Sequence, residues 1–189
     1  MKFIKIISVF SIICLLFLKN TYAFSNEQSS ILRNNKFGIH ISHSGDIEKA
    51  VDLVNSNGGD WGYVTIVIQE NDKKIDKWQD FFNLSRENHL IPIVRIAAEP
   101  QGSIWLKPKI ESLNSWADFL DNLKWPVKKR YIIIFNEPNH AKEWGGNINP
   151  KEYAQFLDKA VNIFKNKNQD FWVMNAGFDQ AAPDSRTTM

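Results

Sequence analysis

The chain has 189 residues, of which 43% are hydrophobic and 13% aromatic, and its formal net charge is +2. This aromatic content argues against intrinsic disorder, and the length suffices for one substantial hydrophobic core. The basic excess lies in residues 1–23: removing their three lysines changes the net charge to −1. This nearly neutral net charge gives no indication of nucleic-acid binding.

Residues 1–23 have the pattern of a secretory signal peptide. Two lysines precede an apolar run from Ile6 to Leu18, and Thr21-Tyr22-Ala23 matches a small-residue cleavage site. An uncleaved signal anchor is the alternative, but the run is short for a membrane span. We therefore expect cleavage after Ala23, a secreted or periplasmic protein, and no stable membrane span in the mature chain.

The composition also bears on metals and cofactors. Cys14 is the only cysteine and lies in the leader, so the mature chain has no disulfide and no thiolate chemistry. Its four histidines show no paired spacing typical of a metal site. We expect neither a catalytic metal nor a cofactor.

Residues 24–35 form a polar segment, and residues 36–189 alternate between strand-like and helical patterns. Apolar runs rich in Val and Ile begin near residues 37, 61, 91, 131 and 171. Amphipathic helices are predicted between them over 46–55, 76–88 and 115–123, and from Asn149, where Asn149, Pro150 and Glu152 form a capping-box signal. Apolar strands separated by such helices predict an α/β fold with a helix-covered parallel sheet.

The strand spacing favours a (β/α)8 TIM barrel. Successive strands begin 24, 30, 40 and 40 residues apart, close to the ~31 residues per unit of a typical barrel. A doubly wound sheet is the alternative, but the segment His40 to Gly45 is not the Gly-rich turn that usually follows its first strand. Residues 36–189 would then supply only about the first five units, and we expect such an incomplete barrel to be poorly stable alone.

The stretch from Tyr131 to Asn139 places a carboxylate, Glu137, where the fourth strand ends. The carboxyl ends of barrel strands form the active-site face. Strand alternation predicts that Ile133, Phe135 and Glu137 share one face. A glutamate in such a partly desolvated pocket suits a general acid.

The motif Asn136-Glu137-Pro138 at a fourth strand resembles that of the clan A glycoside hydrolases, which are retaining enzymes on an eightfold barrel. The resemblance implies that Glu137 is the acid/base and that Asn136 hydrogen-bonds the 2-hydroxyl of the sugar. It implies an O-glycosyl hydrolase for a β-linked oligo- or polysaccharide. The family's nucleophile, a second glutamate, ends the seventh strand, which this sequence does not reach, so residues 36–189 alone are expected to be inactive.

Two alternatives stay open at this stage. The protein is either this exported enzyme or a noncatalytic carbohydrate-binding or degenerate barrel. Glu137 itself is either the acid/base or a rim residue that pairs with Arg95 or Lys142.

Five further residues are candidates for substrate binding. His40 and Glu99 end the first and third strands, and each has an alternative role as a polar rim residue. Glu99 and Asp179, which follows the fifth strand, are also acids that could substitute for the nucleophile, but neither lies at the family's nucleophile position. Arg95 either orients a carboxylate or pairs within the helical layer. Trp105 and Trp144 follow the third and fourth strands, where an indole either stacks on a sugar ring or packs a loop.

Overall fold

The computed structural model describes residues 34–188. The predicted signal peptide, residues 1–23, and the polar segment up to residue 33 lie outside the described residues. Within the described part, no helix is long and apolar enough to cross a bilayer.

Among residues 34–188, five strands form one parallel sheet, four α-helices connect these strands, and two short strands form a separate antiparallel hairpin. The strands are β1 (Gly38–His40), β2 (Gly62–Gln69), β3 (Leu90–Ala97), β4 (Pro100–Gln101), β5 (Ile104–Trp105), β6 (Arg130–Ile134) and β7 (Phe171–Asn175). The helices are α1 (Ile47–Val54), α2 (Ile75–Glu87), α3 (Ser112–Asn122) and α4 (Pro150–Lys167). The hairpin consists of β4 and β5.

The predicted strands and helices of the sheet are confirmed. Each of the five strands begins within one residue of the predicted position, and the helices differ by at most three residues at either end. The hairpin was not predicted, because strands of two residues are too short to show a period of two. Asn149 caps α4 as expected, since its side chain accepts the Glu152 N–H at 3.0 Å.

The order of strands in the sheet is β1-β2-β3-β6-β7, which is their order in the chain. Parallel neighbours joined by right-handed crossovers place all connecting helices on the same face of the sheet. A doubly wound sheet reverses the direction of strand addition, and no such reversal occurs among the described strands. The sheet is therefore singly wound and compatible with part of a TIM-barrel-like fold.

The two faces of the sheet differ in burial. In β2 the side chains alternate between buried and half-buried, and Val64, Ile66 and Ile68 join the core formed with the helices. The opposite face, called here the open face, carries half-buried side chains. It comprises Tyr63, Thr65, Val67, Ile93, Arg95, Tyr131 and Ile133.

The buried hydroxyl of Tyr153 on α4 joins the carboxyl ends of β6 and β7. It donates to the Ile134 carbonyl at 3.1 Å and accepts the Ala176 N–H at 2.6 Å. Burial raises the pKa of Tyr153, so the phenol keeps the proton that it donates. One side chain thus fixes both strand ends next to Asn136 and Glu137.

We predict that Tyr153→Phe lowers the free energy of unfolding by about 1–3 kcal/mol, because it leaves two buried backbone groups without this partner. Denaturant titration measures the difference. Tyr63→Phe on the half-buried open face serves as the control and should cost less. An equal loss in both variants would contradict the role given to the Tyr153 hydroxyl.

Candidate functional site

The Glu137 turn, residues 135–140, begins directly after β6 and contains two left-handed residues. Phe135 has φ 64° and Glu137 has φ 28°, a region that non-glycine residues seldom adopt. Phe135 consequently leaves the open face: it is 4% exposed and packs against Phe156 of α4, with ring centroids 5.3 Å apart. The prediction that Ile133, Phe135 and Glu137 share one face is therefore wrong for Phe135.

Arg95 of β3 holds the side chain of Asn136. Its Nη1 donates to Asn136 Oδ1 at 2.6 Å, so Arg95 does not pair within the helical layer. A guanidinium can only donate, which identifies the contacting amide atom as oxygen. The Asn136 NH₂ group therefore lies on the other side of the amide, where it is free of Arg95 and able to donate to another acceptor.

Charged groups surround this contact. Burial lowers the pKa of Arg95, while the carboxylates of Glu143 and Glu137 act in the opposite direction. The Nε of Arg95 is buried and has no hydrogen-bond partner among residues 34–188. His40 ends β1 and is largely exposed, yet partial burial and then the positive charge of Arg95 lower its pKa. One electrostatic group thus forms around the Arg95 guanidinium. Its other members are Asn136, Glu137 and His40, of which His40 is the neutral imidazole.

Glu137 itself is half-buried. Its carbonyl accepts the His140 N–H at 2.8 Å, which closes the turn across Pro138. Within the described part of the chain, its carboxylate forms no ion pair with Arg95 or Lys142. The alternative that Glu137 is a rim residue paired with Arg95 or Lys142 is therefore not supported by any contact.

Glu99 and Trp105 lie at the β4–β5 hairpin. Glu99 is exposed just before β4, and its carbonyl accepts the Leu106 N–H at 2.8 Å. Trp105 is half-buried in β5, and its carbonyl accepts the Gly145 N–H at 3.2 Å. The hairpin therefore contacts the loop that follows the Glu137 turn, and Trp105 remains a candidate sugar platform.

Trp144 is a packing residue. Its indole is 1% exposed and lies against Phe135, Tyr153 and Phe156, with centroids 5.5–5.9 Å apart. Its Nε1 donates to Glu152 Oε2 at 3.1 Å. The prediction that Trp144 is a sugar platform is wrong, because its indole is almost wholly buried and packs the loop instead.

Three polar residues join the Glu137 turn to the loop after β7: Asn139, His140 and Asp179. Sequence reasoning missed Asn139 and His140 and the contacts that link them to Asp179. Asn139 Nδ2 donates to the Asp179 carbonyl at 2.9 Å, and the Asp179 N–H donates to Asn139 Oδ1 at 3.2 Å. His140 Nε2 lies 2.9 Å from Asp179 Oδ2. We call these three residues the clasp. No sequence signal connects positions about 40 residues apart.

A cavity of about 670 Å³ lies on the α4 side of the turn. Its wall includes Pro138, Asn139, Tyr153, Leu157 and Phe178, but none of Asn136, Glu137 or Arg95. Asn136, Glu137 and Arg95 therefore lie outside the wall of this cavity. Among residues 34–188 no cluster of three or more His, Asp or Glu side chains is placed to hold a metal ion.

The carboxylate of Glu152 joins the site loops to α4, and this contact should depend on pH. The hydrogen bond from Lys107, which lies 2.7 Å away, together with that from Trp144, lowers the pKa of Glu152. A carboxyl group with a lowered pKa stabilises the fold above its unfolded value, about 4.3, and loses this contribution as the pH falls through its folded value.

We predict that Glu152→Gln lowers the free energy of unfolding at pH 7 by up to about 1 kcal/mol, because the ion pair is partly exposed. In denaturant titrations, the difference from the parent should shrink as the pH falls below about 4.3, the unfolded value, and through the lower folded value. Glu48→Gln is the control, since Glu48 also lies in the first turn of a helix but is exposed and without an ion pair among the described residues. A pH-independent difference would contradict the prediction.

Comparison with known proteins identifies a fold. No protein-family model and no curated protein sequence matches the chain. A GH39 β-xylosidase from Caulobacter crescentus has a similar structure, with a TM-score of 0.57 and 13% sequence identity; the match covers 75% of this chain and 40% of that chain. The chain thus spans less than half the length of this glycoside hydrolase and shares the fold of part of it.

Proposed function

We propose that the protein is an exported O-glycosyl hydrolase that acts on a β-linked oligo- or polysaccharide with retention of configuration. Glu137 is its acid/base. The observation that carries this proposal is the contact from Arg95 to Asn136, which fixes the residue next to Glu137 at the carboxyl end of β6. The glycosidase-like fold supports the same conclusion.

Asn136 holds the sugar in this proposal. Because Arg95 occupies its amide oxygen, the NH₂ group is the part left to bind a ligand, and it is a donor. A sugar 2-hydroxyl offers the matching acceptor oxygen. Such a hydrogen bond strengthens as charge develops at the neighbouring anomeric carbon.

Glu137 acts twice in the reaction. It first protonates the glycosidic oxygen while a second carboxylate, about 5–5.5 Å away, attacks the anomeric carbon. It then accepts a proton from the water that hydrolyses the glycosyl-enzyme intermediate. We assign the second carboxylate to a residue outside the described part, because Glu99 is exposed at the hairpin and Asp179 is bound to His140.

The remaining candidates have supporting roles in the proposal. Neutral His40 contacts a sugar hydroxyl from the end of β1, and Arg95 keeps Asn136 in its orientation. Trp105 offers an apolar face from the hairpin for stacking. Glu99 contributes at most a polar contact at the rim.

Glu137→Gln in the full-length gene product tests the proposal. It keeps the shape of the side chain and removes its proton, so we predict a loss of about 10²–10⁴ in rate for a substrate with a poor leaving group. For an activated aryl glycoside, formation of the covalent intermediate should change much less, while its hydrolysis should slow. Steady-state and burst kinetics with both substrates measure these steps, and azide should restore turnover of the intermediate.

Glu99→Gln is the matched control, because it makes the same change on the exposed hairpin. It should leave the leaving-group dependence unchanged. Hydrolysis of the poor substrate by Glu137→Gln at nearly the parent rate, or the leaving-group signature in Glu99→Gln, would overturn the assignment.

The proposal includes export, which rests on the leader pattern of residues 1–23. We predict that N-terminal sequencing of the exported protein finds Phe24 as the first residue. Ala23→Arg should block processing, because the cleavage site requires a small residue. Exported protein that retains Met1 would contradict this prediction.

A noncatalytic carbohydrate-binding barrel is the alternative that the same experiments address. Reading the genomic DNA beyond the codon for Met189 separates the two. A continuing frame with three more strand–helix units and a glutamate at the end of the seventh strand supports the enzyme. A protein that binds oligosaccharide but lacks any second carboxylate supports the alternative.

A further inference from the structure

The clasp of Asn139, His140 and Asp179 connects two loops that follow neighbouring parallel strands. Asp179 lies four residues beyond the end of β7, and the Glu137 turn follows β6. Two hydrogen bonds join Asn139 to the Asp179 backbone, and a third contact joins His140 to the Asp179 carboxylate at 2.9 Å. The side chain of His140 is 15% exposed and that of Asp179 is 35% exposed, so this last contact is partly accessible to water.

The clasp lies at one end of a strained turn. Glu137 has a left-handed backbone, a conformation that persists only when its surroundings enforce it. The turn is held at its beginning by the bond from Arg95 to Asn136 and at its end by the His140 N–H on the Glu137 carbonyl. His140 is thus part of both the turn and the clasp, and Asp179 fixes its imidazole.

The Asp179 carboxylate is suited to this role because it is ionised. The Ala181 N–H and then the His140 ring lower its pKa, and Lys142 acts in the same direction. Oδ1 accepts the Ala181 N–H at 2.9 Å, which leaves Oδ2 for His140. An ionised acceptor makes the stronger kind of hydrogen bond, and this one fixes which ring nitrogen of His140 faces the loop.

We propose that Asp179, acting through His140, is a positioning residue for the Glu137 carboxyl group. Building on the proposed function, this inference assigns a task to a residue that touches neither the sugar nor the reacting atoms. Displacement of a catalytic group by about 1 Å can cost about 10²-fold in rate. A clasp that fixes the turn at its far end is a means of preventing such displacement.

The experiment compares Asp179→Ala with Asp179→Asn and the control Asp184→Ala in the full-length gene product. Asp184 lies in the same loop and is exposed. For a poor leaving group we expect kcat to fall about 10- to 100-fold in Asp179→Ala. The loss should be smaller in Asp179→Asn, whose amide oxygen can replace only one of the two carboxylate contacts. It should be absent in Asp184→Ala. For an activated aryl glycoside the loss in glycosylation rate should be several-fold smaller.

Amide hydrogen exchange tests the clasp without catalysis. In Asp179→Ala the His140 amide should exchange at least about tenfold faster, while the amides of β3 and β6 keep their protection. Equal losses for both substrates would show a general structural role. Unchanged exchange at His140 would show that Asp179 does not hold the turn. Either result would overturn the inference. If Glu137→Gln lacks the leaving-group signature, the proposed function fails and this inference fails with it. If Glu137→Gln shows the leaving-group signature and Asp179→Ala does not, only this inference is overturned and the proposed function stands.

Discussion

The arrangement of the site depends on the hydroxyl of Tyr153. A parallel sheet brings the carboxyl ends of its strands to one edge, but it does not determine how the backbone continues beyond them. The Tyr153 hydroxyl binds the carbonyl of Ile134 and the N–H of Ala176, and so fixes the exits of β6 and β7 relative to α4. The contact between the Glu137 turn and the Asp179 loop is possible because both exits are held in place.

Beyond these exits, the turn combines local strain with long-range support. Phe135 and Glu137 both adopt left-handed backbone, which costs of the order of 1–3 kcal/mol per residue. Burial of the Phe135 ring against Phe156 and Trp144 offsets part of this cost. Strain and packing together direct Phe135 into the helical layer and leave Asn136 in contact with Arg95 on the open face.

Local patterns in the sequence were sufficient to predict the strands of the sheet, the helices and the cap at Asn149. Hydrophobic periodicity and capping chemistry are properties of neighbouring residues, so they can be read along the chain. The motif at Asn136 and Glu137 could be placed at a strand end for the same reason. Whether these residues catalyse hydrolysis is a question for experiment.

Features that depend on distant residues could not be predicted. Alternation assigned Phe135 to the open face because nothing local announces a left-handed residue there. Trp144 follows a strand end, as a sugar platform does, but its burial arises from Tyr153 and Phe156 on the next helix. The partner of His140 lies 39 residues away, at a distance in the chain over which no periodic pattern operates.

The dependence of the Glu137 turn on later residues also has a consequence for synthesis on the ribosome. Some of the groups that hold the turn and the strand exits beside it belong to positions 153, 176 and 179, all C-terminal to the turn. When residue 140 leaves the exit tunnel, β1 to β3 can already pair, but the turn has none of these partners. The geometry around Glu137 is therefore completed only after the next strand and its loop have emerged, one strand–helix unit later than Glu137 itself.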